Sequence, residues 1–388
     1  KRPPPSTLTR IDGSSTSSDA DTAKALLDKF LPDDIPALDS DEQRIIRTLD
    51  LESRPPDTSS EPEFEDHEIE EIVTTLNNKK CPGPDGIDGA IVKNIHLIAP
   101  NLWKTIFNKC LNLGCFPKVW KTASVIAIPK TDRSKLQSVS GYRGISLLSI
   151  PGKCLEKLIM ERLNYFLQSN NLIASQQYGF TAGKSTTDAI KAVSDYVHHS
   201  KRLGLRSCLL TLDIVGAFDN AWHPSILARL REQKCPSNIY NIIVDLLQDR
   251  TAHITLGNTS ISKAVTKGCP QGSVAGPTLW NVIVSTLIAQ LADIPNMHIV
   301  AYADDIMLIF RGTCHSQILS TLQLALQITQ DWCSKNKLEI AKDKSALMPM
   351  YARKKEEYIS HPTVKAWAFK IVSKMKYLGV MLDSKMDW

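Results

Sequence analysis

Mixed α and β structure, of the α/β or α+β class, is what this 388-residue sequence predicts. Three observations carry that expectation. Several segments repeat apolar residues at the spacing of an amphipathic helix. Short apolar runs of strand length lie between them, and the two kinds interleave with no fixed period, which excludes a repeat architecture. At 43% hydrophobic and 22% charged, the composition is that of a globular protein long enough to bury two or three cores.

Residues 1–66 read as an irregular N-terminal linker, acidic and partly disordered. Pro3-Pro4-Pro5, the run Ser14 to Ser18, Pro55-Pro56 and the acidic patch Glu61 to Asp66 are linker-like. Within this stretch Asp39-Ser40 is placed to cap a short helix carrying Ile45, Ile46 and Leu49. From His67 the spacing turns helical through Ile69, Ile72, Val73 and Leu76. Cys81-Pro82-Gly83-Pro84-Asp85-Gly86 then imposes a loop. Leu102, Trp103, Ile106, Phe107, Cys110 and Leu111 trace a helix closed by Gly114. Ser124 to Ile128 is a β-like run stopped at Pro129. Leu155, Leu158, Ile159, Leu163, Phe166 and Leu167 trace another helix, and Ser207 to Ile214 suits a buried strand. Ile239, Ile242, Ile243, Leu246 and Leu247 return to helical spacing. His298 to Phe310 has two apolar arms about a central Asp-Asp, the pattern of a hairpin. Ile318 to Trp332 is helical, and Ala346 to Met350 is a strand.

The net charge of +5 averages two unlike parts. Residues 1–80 carry 10 basic and 19 acidic side chains, a net of −9, whereas residues 81–388 carry 36 and 22, a net of +14. A basic body behind an acidic leader points to a polyanionic partner; a well-solvated surface beside a tether is the plain alternative. The longest apolar stretch, Leu279 to Ile294, is broken by Asn281, Ser285, Thr286, Gln290 and Asp293, so neither a membrane span nor a membrane partner is expected. The sequence starts at Lys1 with no initiator Met and no signal-peptide pattern, as a piece of a longer protein would. Nine cysteines without a CxxC pair offer no zinc framework and are expected as reduced, buried thiols of an intracellular protein.

Asp304 and Asp305 interrupt the apolar hairpin, where ionised groups are costly unless something compensates them. A tight turn accounts for one or two acidic residues. Asp213, however, ends a second apolar run. Carboxylates gathered from the ends of neighbouring strands make the hard-oxygen site that paired divalent ions need for an in-line phosphoryl displacement. Spacing does not establish that the strands adjoin.

Tyr302-Ala303-Asp304-Asp305 resembles the YxDD box of reverse transcriptases. Leu212 to Asp219 (LDIVGAFD) resembles that family's first metal-binding motif, and Gly268-Cys269-Pro270-Gln271-Gly272-Ser273 its PQGS motif, in family order. Further segments are similar to those of LINE-type (non-LTR retrotransposon) polymerases: Lys79 to Gly86, Ile128-Pro129-Lys130, Tyr142 to Leu147, Gln177 to Asp188, Trp332 to Lys344 and Tyr377-Leu378-Gly379. The resemblance covers most of the chain, from Lys79 to Trp388. It departs at Val274-Ala275, where the family commonly has a Leu after Gln-Gly-Ser.

The resemblance implies an α+β right-hand polymerase with fingers, a palm built on a ferredoxin-like sheet, and a thumb largely missing. Fingers are expected over 67–206 and the palm over 207–388, with an additional fingers segment around 221–275 and a primer grip near 369–382. The implied reaction is RNA-directed DNA synthesis by two-metal nucleotidyl transfer, as in target-primed retrotransposition. Asp213, Asp304 and Asp305 would hold two Mg²⁺ ions, with Mn²⁺ the alternative. Adjacent strand residues face opposite sides, so Asp305 would ligate directly only if the turn re-aims it. Phe218 would be the sugar gate that excludes a 2′-hydroxyl. Lys130 and Arg143 would contact the triphosphate, and Gln271 and Gly272 would line the nucleotide site. Lys344 would protonate the departing pyrophosphate, and Leu378 and Gly379 would grip the primer. The implied partners are an RNA template, a DNA primer and deoxynucleoside triphosphates. An endonuclease domain is expected to be covalently linked in the parent, with action in the nucleus after a cytoplasmic ribonucleoprotein stage.

Group II intron-type and telomerase-type polymerases are the nearest alternatives in the same enzyme class. A catalytically silent, RNA-binding copy is the alternative from another class. Gly179 to Ser185 imitates a phosphate-binding P-loop, but three residues rather than four separate its glycines. His198, His199 and His223 have no ligand-spaced partners, and His223, before Pro224, suits a helix start.

Overall fold

The computed structural model describes residues 4–52, 55–130, 133–350, 366–367 and 369–386. The chain opens with α1 (Asp19–Phe30), α2 (Asp41–Glu52), α3 (Asp66–Thr74), α4 (Gly89–Ile98) and α5 (Pro100–Leu113). A β-hairpin of β1 (Thr122–Pro129) and β2 (Tyr142–Leu147) follows, then α6 (Ile150–Ser169), α7 (Thr186–Arg202) and β3 (Arg206–Leu212). Next come α8 (His223–Glu232), α9 (Ser237–Leu247), β4 (Arg250–Leu256), β5 (Thr259–Val265) and α10 (Gly276–Ala292). The last elements are β6 (Met297–Tyr302), β7 (Asp305–Gly312), α11 (His315–Lys335), β8 (Ala346–Met350), β9 (Lys370–Ile371), β10 (Lys374–Tyr377) and β11 (Val380–Asp383).

These elements pack as two units. One takes the residues up to Asn170 together with Phe218–Leu279; the other takes Asn171–Ala217 and the residues from Trp280 on. The expected division at residue 206 differs from this packing. Helix α7 buries Ala189, Val193 and Val197 in one core with Leu209 of β3, Val300 of β6 and Ile309 of β7, so residues 171–206 belong with the second unit.

In the first unit the sheet order is β2-β1-β4-β5, with β1 antiparallel to β2 and parallel to β4. Helix α1 lies on this sheet, and Leu26, Leu27 and Phe30 share a core with Val125, Ile254 and Leu256. The expected irregular leader is therefore corrected. Ala23, Leu26, Leu27 and Phe30 form an apolar stripe at helical spacing, and Ser18 caps the helix by accepting from the Asp21 N–H at 3.2 Å. Proline, serine and acidic residues around the stripe hid it. Helix α2 starts where Asp39-Ser40 predicts. The Ser40 hydroxyl accepts from the Gln43 N–H at 3.3 Å, and Gln43 Oε1 accepts from the Ser40 N–H at 2.9 Å. The Leu49 side chain lies outside the described residues.

In the second unit the sheet order is β6-β7-β3-β8-β9, and β10 with β11 forms a separate hairpin. Strands β3, β7 and β6 are successive antiparallel neighbours, and β8 pairs antiparallel on the other side of β3. With α10 between β3 and β6 and α11 between β7 and β8, this is a split βαβ arrangement. Among the described residues no helix is long and apolar enough to cross a membrane. All nine cysteines are free; six are buried, as expected of most, and Cys81, Cys115 and Cys314 are exposed.

Candidate active site

The predicted site residues gather into two groups, each inside one unit. In the second unit, strand register sets the geometry. Strand β3 pairs with β7 up to Leu212 opposite Ile306, so one further step brings Asp213 level with Asp305 at the same end of the sheet. Strand β6 pairs with β7 up to Tyr302 opposite Asp305, leaving Ala303-Asp304 as a two-residue turn. Asp213 is fixed by its backbone: its carbonyl accepts from the Ala341 N–H at 2.8 Å, and the Val215 N–H donates to the Glu339 carbonyl at 2.8 Å. The loop that makes these bonds continues to Lys344, whose Nζ lies 2.9 Å from Asp213 Oδ2. This contact, more than any other influence, holds the Lys344 pKa above the ordinary lysine range.

Leu378 and Gly379 form the two-residue turn between β10 and β11, with φ of 46° and 88°. Both angles are positive, as a type I′ hairpin turn requires. Asp213, Asp305, Lys344, Leu378 and Gly379 line one cavity of about 320 Å³. Asp304 does not line it, although the charges of Asp213 and Lys344 both act on its carboxyl. The Asp304 pKa is raised, first by burial and then by Asp213. That of Asp305 is raised by the protein bulk around it, then by Asp304 and Asp213, even though the side chain reaches solvent.

Carboxylates whose pKa values are raised by a neighbouring carboxylate, as those of Asp304 and Asp305 are, mark a place where a cation relieves repulsion. Among the described residues no three His, Cys, Asp or Glu side chains are gathered closely enough to enclose a metal ion. Asp213 has the Lys344 ammonium as its counter-charge instead. The donors on offer are hard carboxylate oxygens, the type Mg²⁺ or Mn²⁺ takes, so the residues fit such ions by chemistry and by mutual electrostatics.

In the first unit Lys130, Arg143 and Gln271 line a second cavity, of about 170 Å³, with Lys29, Tyr142 and Asp219. The register of β1 and β2 sets Ile128 opposite Arg143, and the Lys130 N–H donates to the Gly141 carbonyl at 2.8 Å. The Ser146 N–H donates to the Gln271 carbonyl at 2.8 Å. At Gly272, with φ of 119°, a Cβ would stand 2.5 Å from the Ser146 carbonyl oxygen, so only glycine lets the loop approach β2. Phe218 is half-buried; its carbonyl accepts from the Cys269 N–H at 2.8 Å, tying it to the loop that carries Gln271.

Residues 128–382 match the family described as reverse transcriptase (RNA-dependent DNA polymerase). The chain belongs to the reverse transcriptase family. It is 30% identical over 326 residues to the RNA-directed DNA polymerase from mobile element jockey of Drosophila melanogaster, covering 83% of this chain and 35% of that protein. The probable RNA-directed DNA polymerase from transposon BS of the same organism is 29% identical, with 83% of this chain and 36% of the relative covered. The Pol polyprotein of the type-1 retrotransposable element R1 from Bradysia coprophila is 27% identical over 98% of this chain and 36% of its own length. These are proteins of non-LTR retrotransposons, the class the motifs resemble, and the chain spans about a third of the length of each.

Within this reverse transcriptase, the side chains that hold the site residues in place escaped the sequence reading. Gln177, fully buried, accepts through Oε1 from the N–H groups of Gly179 at 2.8 Å and Ala303 at 3.1 Å. Trp280 Nε1 donates to the Ala303 carbonyl at 3.0 Å. Gly179 lies so close that a Cβ there would stand 2.2 Å from Ala303 N. Glu156, also buried, accepts through Oε2 from Ser273 Oγ at 2.8 Å and from the N–H groups of Val274 at 2.7 Å and Ala275 at 3.3 Å. A carboxylate on the apolar face of α6, between Leu155 and Leu158, was the available signal. Lys184, the lysine of the P-loop-like stretch, is engaged with the Ser175 and Gln177 carbonyls, and Ser185 caps α7. His223 opens α8, with Nε2 donating to the Gly268 carbonyl at 2.8 Å; burial lowers its pKa and keeps it neutral.

Proposed function

We propose that this reverse transcriptase chain carries an RNA-directed DNA polymerase, adding deoxynucleotides to a DNA 3′-end on an RNA template. The observation that carries the reading is the meeting of Asp213, Asp305 and Lys344 with the Leu378-Gly379 turn in one cavity. Carboxylates suited to divalent ions there stand beside a turn suited to supporting a chain end. On this reading the second unit is the palm, its sheet ferredoxin-like, and the first unit supplies the fingers.

Asp213, Asp304 and Asp305 would hold two divalent ions, which supply activation of the primer hydroxyl and neutralisation of the triphosphate. Lys130 binds the triphosphate as a point charge and Arg143 as a two-pronged donor. Gln271 and Gly272 line the nucleotide site, and Phe218 closes the space a 2′-hydroxyl needs. Leu378 and Gly379 support the primer end. Lys344, fully protonated beside Asp213, holds the proton a departing pyrophosphate takes up. An RNA template, a DNA primer and a linked endonuclease domain complete the reading, with action in the nucleus after a cytoplasmic ribonucleoprotein stage.

Primer extension on an RNA template tests it. Wild type should extend, and Asp304→Asn should lose about 10³-fold or more of the rate. Extension that survives the substitution would remove the metal-site assignment.

A further inference from the structure

We propose that helix α1 supplies a third cation, Lys29, to the triphosphate site, making the N-terminal segment part of the nucleotide-binding machinery. This rests on the polymerase reading above, which assigns the cavity of Lys130, Arg143 and Gln271 to the incoming nucleotide. Lys29 lines that same cavity.

Packing fixes its position. The buried stripe of Ala23, Leu26, Leu27 and Phe30 sets the rotation of α1 on the sheet. At Gly144 a Cβ would stand 2.6 Å from the Phe30 ring, so β2 and the end of α1 are in contact without slack. Lys29 Nζ donates to the Val139 and Tyr142 carbonyls, both at 2.6 Å. The second of these belongs to the residue before Arg143. An ammonium has three N–H donors, so two such bonds leave one for a ligand.

Electrostatics agree with an anionic ligand. Burial and the nearby Lys130 charge push the Lys29 pKa down to about 8, with Asp219 opposing. Two lysines and an arginine around one cavity, with Asp219 the acid among them, leave a surplus of positive charge for phosphate oxygens. Lys29 would both hold the strand that carries Arg143 and contact the triphosphate.

The test uses the 388-residue chain on poly(rA)·oligo(dT) with dTTP. Lys29→Met should raise KM for dTTP about tenfold or more, with kcat and template-primer Kd changed by less than about twofold. Lys29→Arg should restore most of the affinity, and Lys24→Met, on the exposed side of α1, should match wild type. An unchanged KM overturns the inference. So does a loss seen in template-primer Kd, which would assign Lys29 to nucleic acid, or a parallel fall in kcat and melting temperature, which would leave it a purely structural bolt. Lys29→Gln, uncharged but still a donor, replaces Lys29→Met if the latter does not fold. Calorimetric titration with inorganic tripolyphosphate, wild type against Lys29→Gln, separates the two readings. Lys29-dependent binding in a chain that extends no primer keeps the anion site and refutes the polymerase. Extension with a KM indifferent to Lys29 refutes this inference alone.

Discussion

Ala303 holds a left-handed backbone, φ +58°, in a residue with a Cβ, at the turn between the strands that present Asp304 and Asp305. Such a conformation costs about 1 kcal/mol or more and persists only when its surroundings enforce it. Gln177, Gly179 and Trp280 are those surroundings. Gln177→Leu would strand the buried N–H groups of Ala303 and Gly179, so we expect a loss of about 2–4 kcal/mol in denaturant unfolding. Primer extension should fall with it, since the hairpin then loses its fixed geometry. Phe218→Ala should raise ribonucleotide incorporation relative to deoxynucleotide by about tenfold or more; unchanged discrimination in competition assays would sink the sugar-gate assignment. Asp213, Asp304 and Asp305 were legible in the sequence because ionised groups at the ends of apolar runs are anomalous on energetic grounds. Gln177 was not. A side chain bonded to backbone 126 residues away leaves no periodicity, and its motif segment carried no stated role.

The loop at residues 271–275 and helix α1 show the same division at the scale of elements. Proline and glycine announce the loop, but the helix that holds it, α6, has the sequence of an ordinary amphipathic segment, and only the fold brings its Glu156 to accept three bonds from the loop. Gly272→Ala should displace the loop from β2 and raise the nucleotide KM, a change that steady-state extension would detect. Helix α1 was lost to composition. Its apolar stripe is short, and the acidic and serine-rich residues around it have the statistics of a linker. Leu26→Ala should destabilise the protein by about 2–5 kcal/mol, as deletion of a fully buried leucine does; an unchanged unfolding midpoint would contradict the packing of α1 on the sheet. Strand β4 alternates buried positions with more exposed ones, a period-of-two signal in its sequence, whereas β5 alternates half-buried with exposed positions up to the buried Val265 and carries a weaker one.

For the whole molecule, the contrast between a −9 leader and a +14 remainder changes meaning once ion pairs are in view. Leader carboxylates face basic partners in the remainder, Asp28 and Asp33 meeting Lys263, Asp66 meeting Lys104, and Glu61 and Glu68 meeting Arg162, while Asp34 and Asp39 pair with Arg47 inside the leader. The leader is an internal counter-charge rather than a free tether. Template-primer binding should still weaken with salt, by about tenfold or more between 50 and 200 mM, and a flat salt titration would exclude phosphate neutralisation as the main source of affinity. Lys29 adds a pH dependence to stability. Its folded pKa of about 8 lies below the ordinary lysine value, so between these the unfolded chain holds more protons and stability rises with pH. Lys130, Arg143 and Asp219 are the charged groups around it. Denaturant midpoints at about pH 7 and about pH 10 should show a rise in wild type that Lys29→Met lacks. The order in which the second sheet assembles is governed by β3, whose Leu209 pairs with Ile309 on one side and Met348 on the other. A nascent chain therefore carries this apolar strand with both edges open for some hundred residues, of which Phe218–Leu279 join the other unit. Asp213 and Asp305 reach the same end of the sheet only when β7 docks, and Lys344 arrives with the loop leading into β8. On the polymerase reading the site is complete only when translation is nearly past the last strand of the sheet, so a prematurely released polypeptide should be aggregation-prone and without activity for one and the same reason.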